Sequence, residues 1–151
     1  MPKKLLRVLH VDDQYQWRNI VSDYLTLFGE YEIISAESGE QAIDLLRVSS
    51  FDIIISDIQM PEMNGIEFLQ IIRSCNESIP FIFLTGTRHE DFDLDIKESK
   101  ADFIVMKTGD PPLVFSDLSQ KINQAVARHR TVQALKKHQK EESEQSSFIF
   151  I

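Results

Sequence analysis

Five short apolar runs divide the chain, and each is followed by a loop and then a helical pattern. The runs are Leu5–Val11, Glu32–Ala36, Phe51–Ser56, Pro80–Leu84 and Asp102–Met106. Three of them are nearly continuous rather than alternating, as strands buried on both faces of a parallel sheet read. Five β–α repeats in strict alternation predict a doubly wound α/β domain with helices on both faces.

The intervening segments carry helical periodicity. Trp17, Ile20, Val21, Tyr24 and Phe28 form one apolar stripe, closed by Gly29. Ser38 is placed to cap a second helix, with Ala42, Leu45 and Leu46 inward. Asn64 opens a third, with Ile66, Leu69 and Ile72 inward. In the fourth, Phe92, Leu94 and Ile96 alternate with acids at a period of two. A helix is expected there because parallel strands need a crossover. Phe115, Leu118, Ile122, Ala125, His129, Val132 and Leu135 mark a last helix that runs past the sheet.

In open α/β sheets the site lies beyond the carboxyl ends of the strands. There the sequence puts Asp12 and Asp13 after the first strand and Asp57 after the third. Thr85 and Thr87 follow the fourth, and Lys107 the fifth. Each alone has an ordinary reading, a cap or turn for the aspartates and a solvated loop for the lysine. Their arrival together at one rim is what points to chemistry. Three adjacent carboxylates repel one another unless a hard cation sits among them. Mg²⁺ takes oxygen ligands and suits such a cluster. With a lysine and a hydroxyl beside it, an aspartate can act as nucleophile toward a phosphoryl group.

The segment Ser56-Asp57-Ile58-Gln59-Met60-Pro61-Glu62-Met63-Asn64-Gly65 resembles the motif around the phosphorylated aspartate of response-regulator receiver domains. The resemblance covers about residues 4–128 and implies a flavodoxin-like (βα)5 fold with strand order 2-1-3-4-5. It implies Asp57 as phosphoacceptor, and Mg²⁺ held by Asp13, Asp57 and the backbone carbonyl of Gln59, with Asp12 acting mostly through water. Thr85 is then the switch hydroxyl and Lys107 its partner at the phosphoryl group, while Gln59 and Thr87 tune the phosphoryl lifetime. The implied partners are a sensor histidine kinase or phosphotransfer protein and a downstream protein reached through the face of the fourth helix, fifth strand and fifth helix.

Two positions depart from the family pattern. Thr108 stands where proline usually follows the lysine, so a trans peptide is expected. Lys107-Thr108-Gly109-Asp110-Pro111 looks like a variant form of that loop. Ile104 stands where the switch aromatic is usual, and the adjacent Phe103 is expected on the opposite face, as core.

Other classes fit less well. A phosphatase of the haloacid-dehalogenase type needs a second acid two residues after its nucleophile, and Gln59 cannot protonate a leaving group. The chain is therefore read as no enzyme beyond its own phosphorylation and dephosphorylation. A binding module of the same fold that is never phosphorylated remains the alternative. The net charge of −8 argues against direct nucleic-acid binding. His10, His89, His129 and His138 lack metal-ligand spacing, and His10 reads as core.

Residues 1–128 form the expected receiver domain. Residues 129–151 form a helical extension and polar tail, with Glu141–Ser147 read as linker and Phe148–Ile151 as an apolar tip. Whether the domain stands alone or was excised from a longer chain stays open. Lone Cys75 fits a reducing cytoplasm. The basic start followed by Leu5–Val11 reads as a strand rather than an export signal, and no run reaches the ~18 apolar residues of a membrane span. At most a weak homodimer is expected.

Overall fold

A computed structural model describes residues 4–75, 77–86 and 95–149, without the side chains of 147–149. Five parallel strands form one sheet: β1 (Leu6–Val11), β2 (Tyr31–Ala36), β3 (Ile53–Ser56), β4 (Phe81–Thr85) and β5 (Phe103–Met106). Their order is β2-β1-β3-β4-β5, the expected doubly wound arrangement. The helices are α1 (Tyr15–Leu27), α2 (Gly39–Val48), α3 (Gly65–Ser74), α4 (described over 95–98) and α5 (Pro111–Ile149).

Strand alternation sorts the core into two layers. Val8, Ile53, Ile55, Ile82, Leu84 and Val105 face α1 and α5. Leu9, Val11, Ile54, Phe81 and Phe83 face α2 and α3, with Ile96 of α4 joining them. Buried Tyr31 ties β2 to α5, sharing a hydrogen bond of 2.7 Å with the Ser119 hydroxyl and donating to Asn123.

Local signals set the helix starts. Ser38 Oγ accepts the amide of Gln41, and Asn64 and Glu67 form a reciprocal capping box on α3. Gly29 adopts φ +68° after α1, the left-handed geometry that ends a helix.

Several expectations need correction. The α1 stripe does not reach Phe28, which is the C-terminal cap and 43% exposed; Leu25, one turn after Val21, is buried instead. Thr85 is the last residue of β4 rather than the first of its loop. The stripe on α5 leaves the core after Val126, so Val132 and Leu135 are exposed. Glu141–Ser147, read as linker, lies within α5, whose 39 residues span about 58 Å. Glu, Gln and Lys are good helix formers even without an apolar face, and His138 pairs with Glu142 one turn on at 3.1 Å.

Thr87, Arg88, His89, Glu90, Asp91, Phe92, Asp93 and Leu94 lie outside the described residues, as do Phe150 and Ile151. Among the described residues no helix is long and apolar enough to cross a membrane.

Candidate functional site

The centre of the sheet brings the site together through backbone pairing. Val11 lies opposite Ser56 in the β1–β3 register, and the next amide, of Asp57, donates to the Val11 carbonyl at 3.0 Å. Asp12 and Asp57 therefore leave adjacent strands side by side. On the other flank Thr85 pairs with Met106, and the Lys107 amide donates to the Thr85 carbonyl at 2.8 Å.

These residues converge. Lys107 Nζ donates to Asp12 Oδ2 at 2.7 Å and to Asp57 Oδ2 at 2.9 Å. Asp12, Asp57 and Lys107 are buried, whereas Asp13 is exposed. Asp12, Asp13 and Asp57 each offer a carboxylate oxygen within 4.8 Å of the others.

The donor set suits a hard divalent cation, because three carboxylates face a single ammonium and leave net negative charge at the rim. Burial pushes the Asp12 carboxyl above its ordinary range, opposed by the hydrogen bond from Lys107 and by the Gln14 amide at 2.9 Å, and reinforced by the Asp57 charge. A cation there would relieve that cost.

Asp57 is held on every side. Its Oδ1 accepts the Ile58 amide at 2.7 Å, and its carbonyl accepts the Ser56 hydroxyl at 2.8 Å. Gly65 closes the loop behind it, donating its amide to the Ile58 carbonyl at 2.7 Å. A Cβ at position 65 would overlap the Asp57 carbonyl oxygen, so only glycine fits. Between them Glu62 sits at φ +67°, a conformation unusual for a side-chain-bearing residue.

Neither Asp12 nor Asp13 is the N-cap of α1, although Asp12 Oδ1 accepts the Gln14 amide in the turn before it. Gln14 is the N-cap of α1 and makes no side-chain cap. Thr85 is 2% exposed at the rim, and Gln59 is exposed two residues beyond Asp57. Every described peptide bond is trans, including Lys107–Thr108, as expected without proline. Ile104 packs against the α2–α3 core and Phe103 against the opposite one, where Arg128 and Lys121 lie over its ring. Phe103 is thus on the opposite face, as its strand position implied, but it is half-buried at the edge of that core rather than within it.

Two residues of the site escaped the sequence reading in their roles there. Trp17, read as part of an apolar stripe, lies with its ring centroid 4.7 Å from Lys107 Nζ. Arg18 Nη1 donates to the Asp12 carbonyl at 2.8 Å, anchoring α1 to the strand end. His10 was read as core and is fully buried, but neither ring nitrogen has a hydrogen-bond partner among the described residues. Burial, then the charges of Lys107 and Arg18, lower its pKa to about 3, so the ring is neutral. A helical stripe gives no sign of which apolar residue will meet a lysine 90 positions away.

Against this geometry, the family described as the response regulator receiver domain matches residues 8–123. The chain belongs to that receiver family. The transcriptional regulatory protein ZraR of Klebsiella oxytoca is 32% identical over 124 residues, covering 82% of this chain and 27% of that protein. A probable chemotaxis protein CheY of Rhizobium etli is 41% identical over 83 residues, covering 54% of this chain and 64% of the relative. Chemotaxis response regulator CheY4 of Vibrio cholerae superimposes with a TM-score of 0.68 at 30% identity, covering 78% of this chain and 99% of that one. This receiver thus spans about a quarter of the length of ZraR. Receivers work in two-component phosphoacceptor signalling, chiefly as switches rather than as enzymes.

Proposed function

We propose that this receiver is a phosphorylation switch with Asp57 as phosphoacceptor and Mg²⁺ as its cofactor. The observation that carries the reading is the buried contact of Lys107 Nζ with Asp57 Oδ2 at 2.9 Å, inside the Asp12–Asp13–Asp57 cluster. Asp12, Asp13, Asp57 and the backbone carbonyl of Gln59 would hold the ion. When bound, Mg²⁺ neutralises charge on the transferring phosphoryl group.

The chain's own residues do the rest. An oxygen of the Asp57 carboxylate attacks phosphorus, forming an acyl phosphate as the bond from phosphorus to the donor atom breaks. For a phosphohistidine donor that is a P–N bond, and the freed imidazole nitrogen takes a proton from solvent. Lys107 neutralises a phosphoryl oxygen, and Thr85 donates its hydroxyl to another. Hydrolysis of the acyl phosphate returns carboxylate and inorganic phosphate.

Phosphorylation adds charge and acceptor oxygens at the rim. The conformation in which Thr85 and Lys107 best meet the phosphoryl group gains population. The face of α4, β5 and α5 carries that change to a downstream protein. A sensor histidine kinase or phosphotransfer protein supplies the phosphoryl group, in the cytoplasm and without direct contact to nucleic acid or membrane. Residues 1–128 form the switch and 129–151 an extension, with at most weak self-association.

Ile104, in place of an aromatic, keeps alive the alternative of a binding module that is never phosphorylated, while intact Asp12, Asp13, Asp57, Thr85 and Lys107 argue against it. The two readings separate on transfer from acetyl phosphate to Asp57 in the presence of Mg²⁺. Transfer supports the switch, and refusal of phosphate by a folded protein supports the binding module.

A further inference from the structure

We propose that Trp17 is a positioning residue for Lys107, its indole face holding the ammonium at the acidic rim. The inference deepens the phosphoacceptor reading and rests on it. The ring centroid stands 4.7 Å from Lys107 Nζ, within the ~6 Å over which an aromatic quadrupole attracts a cation, and tryptophan is the strongest such ring. The Lys107 side chain is only 4% exposed, so little water competes for the charge.

The two partners are fixed to different degrees. Trp17 belongs to the first turns of α1 and packs against the core layer shared with α5. Lys107 follows the last residue of β5 and enters Thr108-Gly109, where Gly109 takes φ +114°. No proline stiffens that connection. The place of the ammonium is therefore governed by what its side chain meets.

Among the described residues it meets Asp12, Asp57 and Trp17. Both carboxylates change partners in the proposed cycle, since each would also serve the cation and Asp57 becomes an acyl phosphate. The indole face is unaltered by either event. It keeps the ammonium within reach of the phosphoryl oxygens while the carboxylates are engaged elsewhere.

The test combines a double-mutant cycle with emission from Trp17, the single tryptophan of the chain. Initial phosphorylation rates from acetyl phosphate at saturating Mg²⁺ are compared for wild type, Trp17→Phe and Trp17→Leu. Trp17→Leu is then repeated in a Lys107→Met background. Trp17→Phe keeps an aromatic face and is expected within about threefold of wild type, and Trp17→Leu about tenfold slower. In the Lys107→Met background the leucine should add less than about twofold. Equal losses with Phe and Leu, or the same loss in both backgrounds, would overturn the proposal.

Emission needs no phosphorylation and no variant at position 17. Lys107→Met should change the intensity or maximum of Trp17 emission, and Lys121→Met on α5 should leave both unchanged. Unchanged emission in Lys107→Met contradicts the contact. If the wild type itself refuses phosphate, the phosphoacceptor reading fails, and emission alone then decides whether Trp17 holds Lys107.

Discussion

The carbonyl oxygen of Asp57 occupies the space in which a side chain at Gly65 would begin. The seven-residue loop between them is drawn tight by the Gly65 amide on the Ile58 carbonyl at 2.7 Å. Neither oxygen is the free end of a flexible side chain, so a substitution must move backbone. Gly65→Ala should cost about 1–3 kcal/mol of stability, the usual range for overpacking. It should also slow phosphorylation, because the displaced atoms belong to the acceptor residue. Urea unfolding with a parallel rate measurement checks both. An alanine variant with unchanged stability would mean that the loop relaxes freely.

The site residues stood at strand ends and were legible there, because a doubly wound sheet aims them at one rim whatever their spacing in the chain. The strands themselves were legible for a related reason. Burial on both faces leaves continuous apolar runs such as Ile53–Ser56, all of it buried. Side-chain partnerships across elements were not legible. Trp17 satisfies the α1 stripe and the Lys107 contact at once, and periodicity registers only the first. Glu141–Ser147 failed for the opposite reason: helix propensity acts there with no apolar face to announce it.

The acidic cluster should make stability depend on Mg²⁺. Burial raises the Asp12 pKa, so its ionised form costs the fold stability, a cost that sets in as pH rises from the unfolded-state pKa through the folded one. A cation bound only by the folded state relieves that cost, and Mg²⁺ at a hundredfold excess over its Kd should add about 2.7 kcal/mol. Thermal unfolding with Mg²⁺ and with chelator measures the gain. Asp13→Asn should reduce it, and an equal gain in that variant would remove Asp13 from the site.

His10 should make the fold acid-sensitive. Its pKa falls from 6.5 to about 3 on folding, so between those values the unfolded chain binds the proton and the folded one does not. Stability is therefore lost as pH falls below about 6.5, with a slope near 1.4 kcal/mol per pH unit until the folded pKa is approached. His10→Leu removes the titrating group and two ring nitrogens that have no partner among the described residues. Chemical unfolding in chelator at pH 4–7 should show a shallower dependence for the variant. Parallel curves for the two proteins would mean that His10 is protonated in both states or in neither.

The outer part of α5 should be dispensable for folding. No residue beyond Val126 is buried among those described; Arg128 and Arg130 still meet Phe103 and Asp52, and past Arg130 the helix touches the domain through an exposed bond from Gln133 to Ser78 at 3.0 Å. A chain ending at Arg130 should unfold within about 1 kcal/mol of the whole protein, since exposed hydrogen bonds and ion pairs contribute little. Loss of folding in that shorter chain would place the domain boundary further along the helix.

Intact mass after incubation with acetyl phosphate and Mg²⁺, on the wild type and on Asp57→Asn, tests the central claim most directly. The account predicts the addition of one phosphoryl group to the wild type, dependent on Mg²⁺ and absent from the variant. No addition to a folded wild type, or the same addition to Asp57→Asn, would contradict it.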